Sequence, residues 1–192
     1  AFYLSVTDVG LYAPAYALGS LIIFVSQAMG TILPQLLSRL VDSGDNAGAN
    51  RILSYSIKFF LLLAIPFVAG TIGLGREILL VLANEEVALK AFWVTPVVAL
   101  GALFYGLNII LSNVLFVKMQ TSAMFKMNVI AAAFNLFANA IFLFWFRDIL
   151  VAAITTFLSY FLAFCYLVSA CKKLGWSLEF SLIELFKFRS EE

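Results

Sequence analysis

Five apolar stretches, each long enough to cross a bilayer, limit this chain more than anything else in it. They lie at residues 11–33, 52–75, 91–117, 127–146 and 149–171. All but the second are uncharged; the second is uncharged from Phe59 to Gly75 and extends back through Lys58. A spanning helix needs about 20 predominantly apolar residues. Open strands would leave backbone groups unpaired in lipid. The runs are also too long and too evenly apolar for the alternating strands of a barrel. The spacing therefore predicts an all-α, polytopic membrane protein with five transmembrane helices. Composition agrees: charged residues are 12% of the chain, against roughly 25% in a soluble domain. A soluble fold of this kind would expose too much apolar surface.

The links between spans are short. Residues 41–50 (VDSGDNAGAN) read as a turn-rich loop, 84–90 (NEEVALK) as an acidic link and 118–126 (KMQTSAMFK) as a basic one. Arg147-Asp148 is the tightest. Short links make successive helices antiparallel neighbours. Lys and Arg then orient the bundle. One side holds nine: Arg39, Arg51, Lys58, Lys118, Lys126, Lys172, Lys173, Lys187 and Arg189. The other holds three: Arg76, Lys90 and Arg147. The richer side is expected to be cytoplasmic, with the C-terminus inside. Residue 1 then falls outside, which leads to the expectation of at least one more span before Ala1. Trp93, Trp145 and Trp176 stand at span ends, where the amphipathic ring prefers the headgroup level.

Beyond Trp176 the pattern changes. Leu178, Leu182, Leu185 and Phe186 recur at helical spacing, opposite Glu179, Glu184 and Lys187. Residues 176–192 are expected to form an amphipathic interfacial helix on the cytoplasmic surface, after a membrane bundle at 1–175.

Breakers and polar groups mark candidate functional positions. Gly70, Gly73 and Gly75 cluster before Arg76, so the helix is expected to break there, with a half-helix at 78–83. Pro66, Gly70 and Gly73 are candidate hinges; Gly and Pro are also simply frequent in membrane helices. No Asp, Glu, Lys or Arg lies near the middle of a span. The membrane-depth amides are Gln27, Asn108, Asn113, Asn128, Asn135 and Asn139. Asn135 and Asn139, four apart, share a helix face continued by Ala131. Such a stripe ties helices together or lines a wet cavity with neutral donors and acceptors. Gln27, Asn108, Asn135 and Asn139 are the candidate substrate-cavity residues. Lys58 joins them as a cation able to face a vestibule, against the plainer reading of snorkelling. Ala13/Ala17 and Ala102/Gly106 are small-residue pairs suited to close helix approach.

Several chemistries find no footing. There is no histidine, and no Walker loop, GxSxG or zinc motif. Cys165 and Cys171 are six apart, point to different faces and are expected to be buried free thiols. The expectation is a non-enzyme with no metal, no cofactor and no nucleic-acid partner. A membrane glycosyl or acyl transferase is disfavoured on the same grounds.

Read together, the motifs resemble the C-terminal lobe of polysaccharide flippases, in the multidrug/oligosaccharidyl-lipid/polysaccharide flippase superfamily. Val9-Gly10-Leu11-Tyr12 with Ala15-Tyr16 matches the family's opening motif, and Pro34 to Leu40 the close of that helix. Ala64-Ile65-Pro66 matches its "aiP" step, and Asn135 with Asn139 its paired-asparagine stripe. Ala152-Ala153 and Thr155 remain of the link that follows, without its glycines. The resemblance implies a fragment: five helices of a six-helix transporter lobe lacking its first helix, facing an N-terminal lobe of the same protein that carries most of the cationic cavity residues. It implies alternating access that moves a polyprenyl-pyrophosphate-linked oligosaccharide across the bacterial inner membrane, among membrane lipids and possible polysaccharide polymerase partners, in polysaccharide or lipopolysaccharide biosynthesis. A cation-coupled multidrug exporter and a non-catalytic assembly subunit are the alternatives.

Overall fold

The computed structural model describes residues 5–176. The amphipathic helix expected at 176–192 lies outside the described residues, apart from Trp176. Seven helices and no strand occur among the described residues: α1 (Val6–Ser20), α2 (Ile23–Asp42), α3 (Asn46–Leu82), α4 (Glu85–Lys90), α5 (Val94–Val117), α6 (Thr121–Phe146) and α7 (Ile149–Lys173). The all-α polytopic reading holds. Helices α3, α5, α6 and α7 are each long and apolar enough to cross a membrane, and α1 with α2 makes a fifth span if that bent pair is one crossing.

Local chemistry sets the helix ends, and the links are shorter than the sequence suggested. Ser5 accepts from the Asp8 amide while Asp8 accepts from the Ser5 amide, a reciprocal cap on α1. The Ser5 hydroxyl, donating to the Asp8 carboxylate at 2.8 Å, and then the Ser5 N–H hold that carboxyl below its ordinary value. The loop expected at 41–50 shrinks to 43–45. Gly44 takes a positive φ of 81°, and Asp45 caps α3 by accepting from Gly48 N–H at 2.8 Å. Residues 84–90 are not a loop: Asn84 accepts from Val87 N–H at 2.9 Å and starts α4. The basic link at 118–126 is only 118–120, turned by Met119 in the left-handed region (φ 54°), and α6 takes the rest. Arg147-Asp148 is as tight as expected. Arg147 is left-handed (φ 47°) and Asp148 caps α7 through Leu150 N–H.

Two spans differ from expectation. The first breaks: α1 and α2 meet at Leu21-Ile22 with a 49° bend. The second does not. Helix α3 runs unbroken from Asn46 to Leu82, straight through Pro66 and the Gly70–Gly75 cluster. One proline removes one backbone bond, and isolated glycines lower helix propensity by only about 1 kcal/mol each, too little to break a helix packed along α5. No separate half-helix forms at 78–83. At 37 residues, α3 is about 55 Å long, well beyond the roughly 30 Å hydrocarbon core, so its ends project from the membrane.

Helix α5 is the centre. It packs against α1, α2, α3, α6 and α7. Of its most apolar stretch, 67% is buried, against 6% for α6. One core cluster joins α2, α3, α5 and α7 around Leu37, Phe60, Leu111 and Leu167. The other joins α1, α4 and the start of α5 around Ala15, Val87 and Val94. Both include α5. Three glycines permit the close approach. A Cβ at Gly19 would lie 2.6 Å from the Thr95 carbonyl, one at Gly30 would lie 2.7 Å from Ile109, and one at Gly106 would strike the Phe60 ring. The Ala102/Gly106 pair is thus used in packing, with Phe60 seated on it, whereas Ala13 and Ala17 are exposed. Cys171 is buried as expected, but Cys165 is exposed on the outer face of α7. Trp93 and Trp145 are exposed at helix ends, whereas Trp176 tucks into the core beneath α7.

Gly106→Val is expected to destabilise the purified protein by about 1–3 kcal/mol through overpacking against Phe60. Gly70→Ala, with open space at its Cβ, is expected to be neutral or mildly stabilising. Thermal unfolding in detergent measures both.

Candidate functional site

Three of the membrane-depth amides, Asn108, Asn135 and Asn139, bond to α7. On α6, Asn139 Nδ2 donates to Asn135 Oδ1 (3.1 Å), so the two amides on one helix face are already bonded to each other. Both also reach α7. Asn135 Nδ2 donates to Thr156 Oγ1 at 3.3 Å. The single hydroxyl proton of Thr155 has three oxygens around it: Asn139 Oδ1 (2.8 Å), Ala152 O (3.0 Å) and Val151 O (3.1 Å). Thr156 in turn donates to Ala152 O at 2.8 Å. Four side chains from two helices therefore form one connected tie. Hydrogen bonds of this kind between membrane helices average about 0.6 kcal/mol, with about 1.7 at most. Sequence spacing placed Asn135 and Asn139 on one face. It could not place Thr155 and Thr156 opposite, because that depends on how α7 is rotated.

On the other side of α7, Asn108 of α5 donates to the Tyr160 carbonyl at 3.0 Å. Asn108 is buried, and its Oδ1 has no partner among the protein groups. Tyr105 of α5 lies against Tyr160, ring centroids 4.8 Å apart. Tyr16 of α1 lies by Tyr160, both lining one small cavity, and packs on Tyr12 at 5.5 Å. These four tyrosines link α1, α7 and α5, and they were missed as a group. The only signal in the sequence was Tyr12 and Tyr16 in the opening motif. Asn113 bonds the Ile109 and Ile110 carbonyls of its own helix and joins no network.

The candidate residues do not converge on one cavity. Asn108, Asn135 and Asn139 belong to the ties about α7. Gln27 is exposed on α2, and Lys58 is half-buried on α3. A cavity of about 10 Å³, room for one water, sits where α1, α2, α5 and α7 meet. Tyr16, Ile23, Thr156 and Tyr160 help line it, and none of the five candidates does. Pro66 is exposed and Gly70 half-buried within the unbroken α3. Among the described residues, no three His, Cys, Asp or Glu side chains come together as a metal site would require. The arrangement offers neutral oxygens and amides at membrane depth. Such groups can tie helices or bind a polar ligand.

A protein-family model described as "Lipid II flippase MurJ" matches residues 9–189. That is nearly the whole chain. The chain belongs to the MurJ lipid II flippase family. It is therefore an integral membrane protein of a family of flippases for lipid-linked substrates. The flippase reading drawn from the motifs holds at that level. The substrate in the family's description is lipid II. No curated protein and no solved structure matches the chain.

A double-mutant cycle tests the α6–α7 tie. Asn139→Leu and Thr155→Val are expected to couple by about 0.5–1.5 kcal/mol in the stability of the purified protein. Additive effects would show that the two side chains do not share a bond.

Proposed function

We propose that this chain forms helices of one lobe of a transporter that moves a polyprenyl-pyrophosphate-linked saccharide of the lipid II kind. Transport runs from the inner to the outer leaflet of the bacterial cytoplasmic membrane. The observation that carries this reading is the family match across residues 9–189. The mechanism is alternating access by rocking against a second lobe, with no covalent chemistry and no cofactor, so the protein is not an enzyme. The nine-to-three distribution of Lys and Arg supports a cytoplasmic C-terminus.

Within this reading the polar residues divide. Asn135 and Asn139 hold α6 to α7, and Asn108 holds α5 to α7; their hydrogen bonds support that role more directly than contact with substrate. Gln27, exposed on α2, and Lys58, half-buried on α3, are the better candidates to face the headgroup. A lysine at that depth suits a pyrophosphate as a point charge. Pro66, Gly70 and Gly73 supply local compliance to α3 without interrupting it.

Complementation tests the proposal. The full-length gene is expected to restore colony formation to cells depleted of their own lipid II flippase, and Lys58→Met with Gln27→Leu is expected to lower rescue at equal membrane abundance. Rescue no better than an empty vector, with the protein correctly inserted, would contradict it.

A further inference from the structure

The break between α1 and α2 sits inside an apolar stretch that the sequence reads as a single helix. Its cause is local. Gly19-Ser20 immediately precedes it, and Gly/Ser pairs are among the few sequence features that produce sharp kinks. Ser20 Oγ donates back to Ala17 O at 3.1 Å, competing with the ladder there. Around the break the bonds shorten to the tighter i to i−3 pattern. Leu21 N–H reaches Leu18 O at 3.4 Å, Phe24 N–H reaches Leu21 O at 3.2 Å, and Val25 N–H reaches Ile22 O at 3.2 Å. Such a stretch inside a helix often marks a hinge.

The two arms are anchored differently. Gly19 seats α1 on backbone: a Cβ there would lie 2.6 Å from the Thr95 carbonyl and 2.9 Å from Val98 Cβ. The approach of α1 to α5 there is to backbone, with no room for a side chain between them. Tyr16 also lies by Tyr160 of α7, both lining one small cavity. Gly30 seats α2 against the Ile109 side chain instead of backbone. The small cavity lies beneath the break, lined by Tyr16 from α1 and Ile23 from α2.

We propose that Leu21-Ile22 is a hinge about which α2 swings relative to a fixed unit of α1, α5 and α7, opening and closing the α2–α5 seam at Gly30 and Ile109. The motion is within one lobe. It is distinct from rocking of lobe on lobe, and it stands or falls independently of the identity of the substrate.

Spin-label distances in the full-length protein in lipid nanodiscs test it, in a background of Cys165→Ser and Cys171→Ala. One pair spans the moving arm, Arg39→Cys with Ser169→Cys. The control pair spans the fixed arm, Val9→Cys with Leu158→Cys. All four positions are exposed. The expected result is two distance populations for the α2 pair and one for the α1 pair. A single narrow distance for the α2 pair would overturn the hinge, and so would equal splitting of both pairs, which would place the motion elsewhere.

Discussion

Close approach to α5 is the interaction on which the rest of the structure depends. In lipid the hydrophobic effect does little to bring one apolar helix to another, because the tails are as apolar as leucine. Shape must do it. Gly19, Gly30 and Gly106 remove the side chains that would hold α1, α2 and α3 away from α5. Phe60 fills the recess that Gly106 leaves, and Leu37, Leu111 and Leu167 complete the surrounding core. Helix α6 shows the converse. It packs mainly on α7 and exposes Phe125, Leu136, Phe137 and Phe144. In a bilayer those side chains are solvated by lipid.

Hydrogen bonds then specify what packing leaves loose. Dispersion contacts tolerate small rotations of a helix about its axis. Paired amides and hydroxyls do not. The Asn135–Asn139–Thr155–Thr156 tie fixes α6 on α7, and Asn108 to the Tyr160 carbonyl fixes α7 on α5. All of these groups are neutral, so no charge is stranded in the membrane. Helix α7 is thus the hub of polar contact, while α5 is the hub of packing.

Much of this was legible in the sequence, and the remainder was hidden for definite reasons. Spans three and five lie within three residues of helices α5 and α7. Span four shares its end with α6, which begins six residues earlier and takes in Lys126, so uncharged runs marked most helix boundaries. Asp148 marks such a boundary and also caps α7. Helix α3 was harder. Its glycines look like breakers, yet breaking depends on whether packing supports the backbone, and α5 runs alongside it. The bend at Leu21-Ile22 went unseen for the opposite reason: Gly19-Ser20 is a small signal inside a long apolar run. The polar stripe on α6 was readable from a spacing of four. Its partners were not, since helical rotation is set by contacts far apart in sequence. The family likeness rested on short motifs in order, and the family match across residues 9–189 bears it out at the level of a flippase for lipid-linked substrates.

The account joins a glycine-seated membrane bundle to movement of a lipid-linked saccharide. Purified full-length protein in liposomes gives the most direct measurement, following the exposure of fluorescent lipid II to a reagent outside the vesicle. Protein-dependent translocation of lipid II, without matching scrambling of phosphatidylcholine, is the predicted result. Translocation of lipid II no faster than in protein-free vesicles would contradict it.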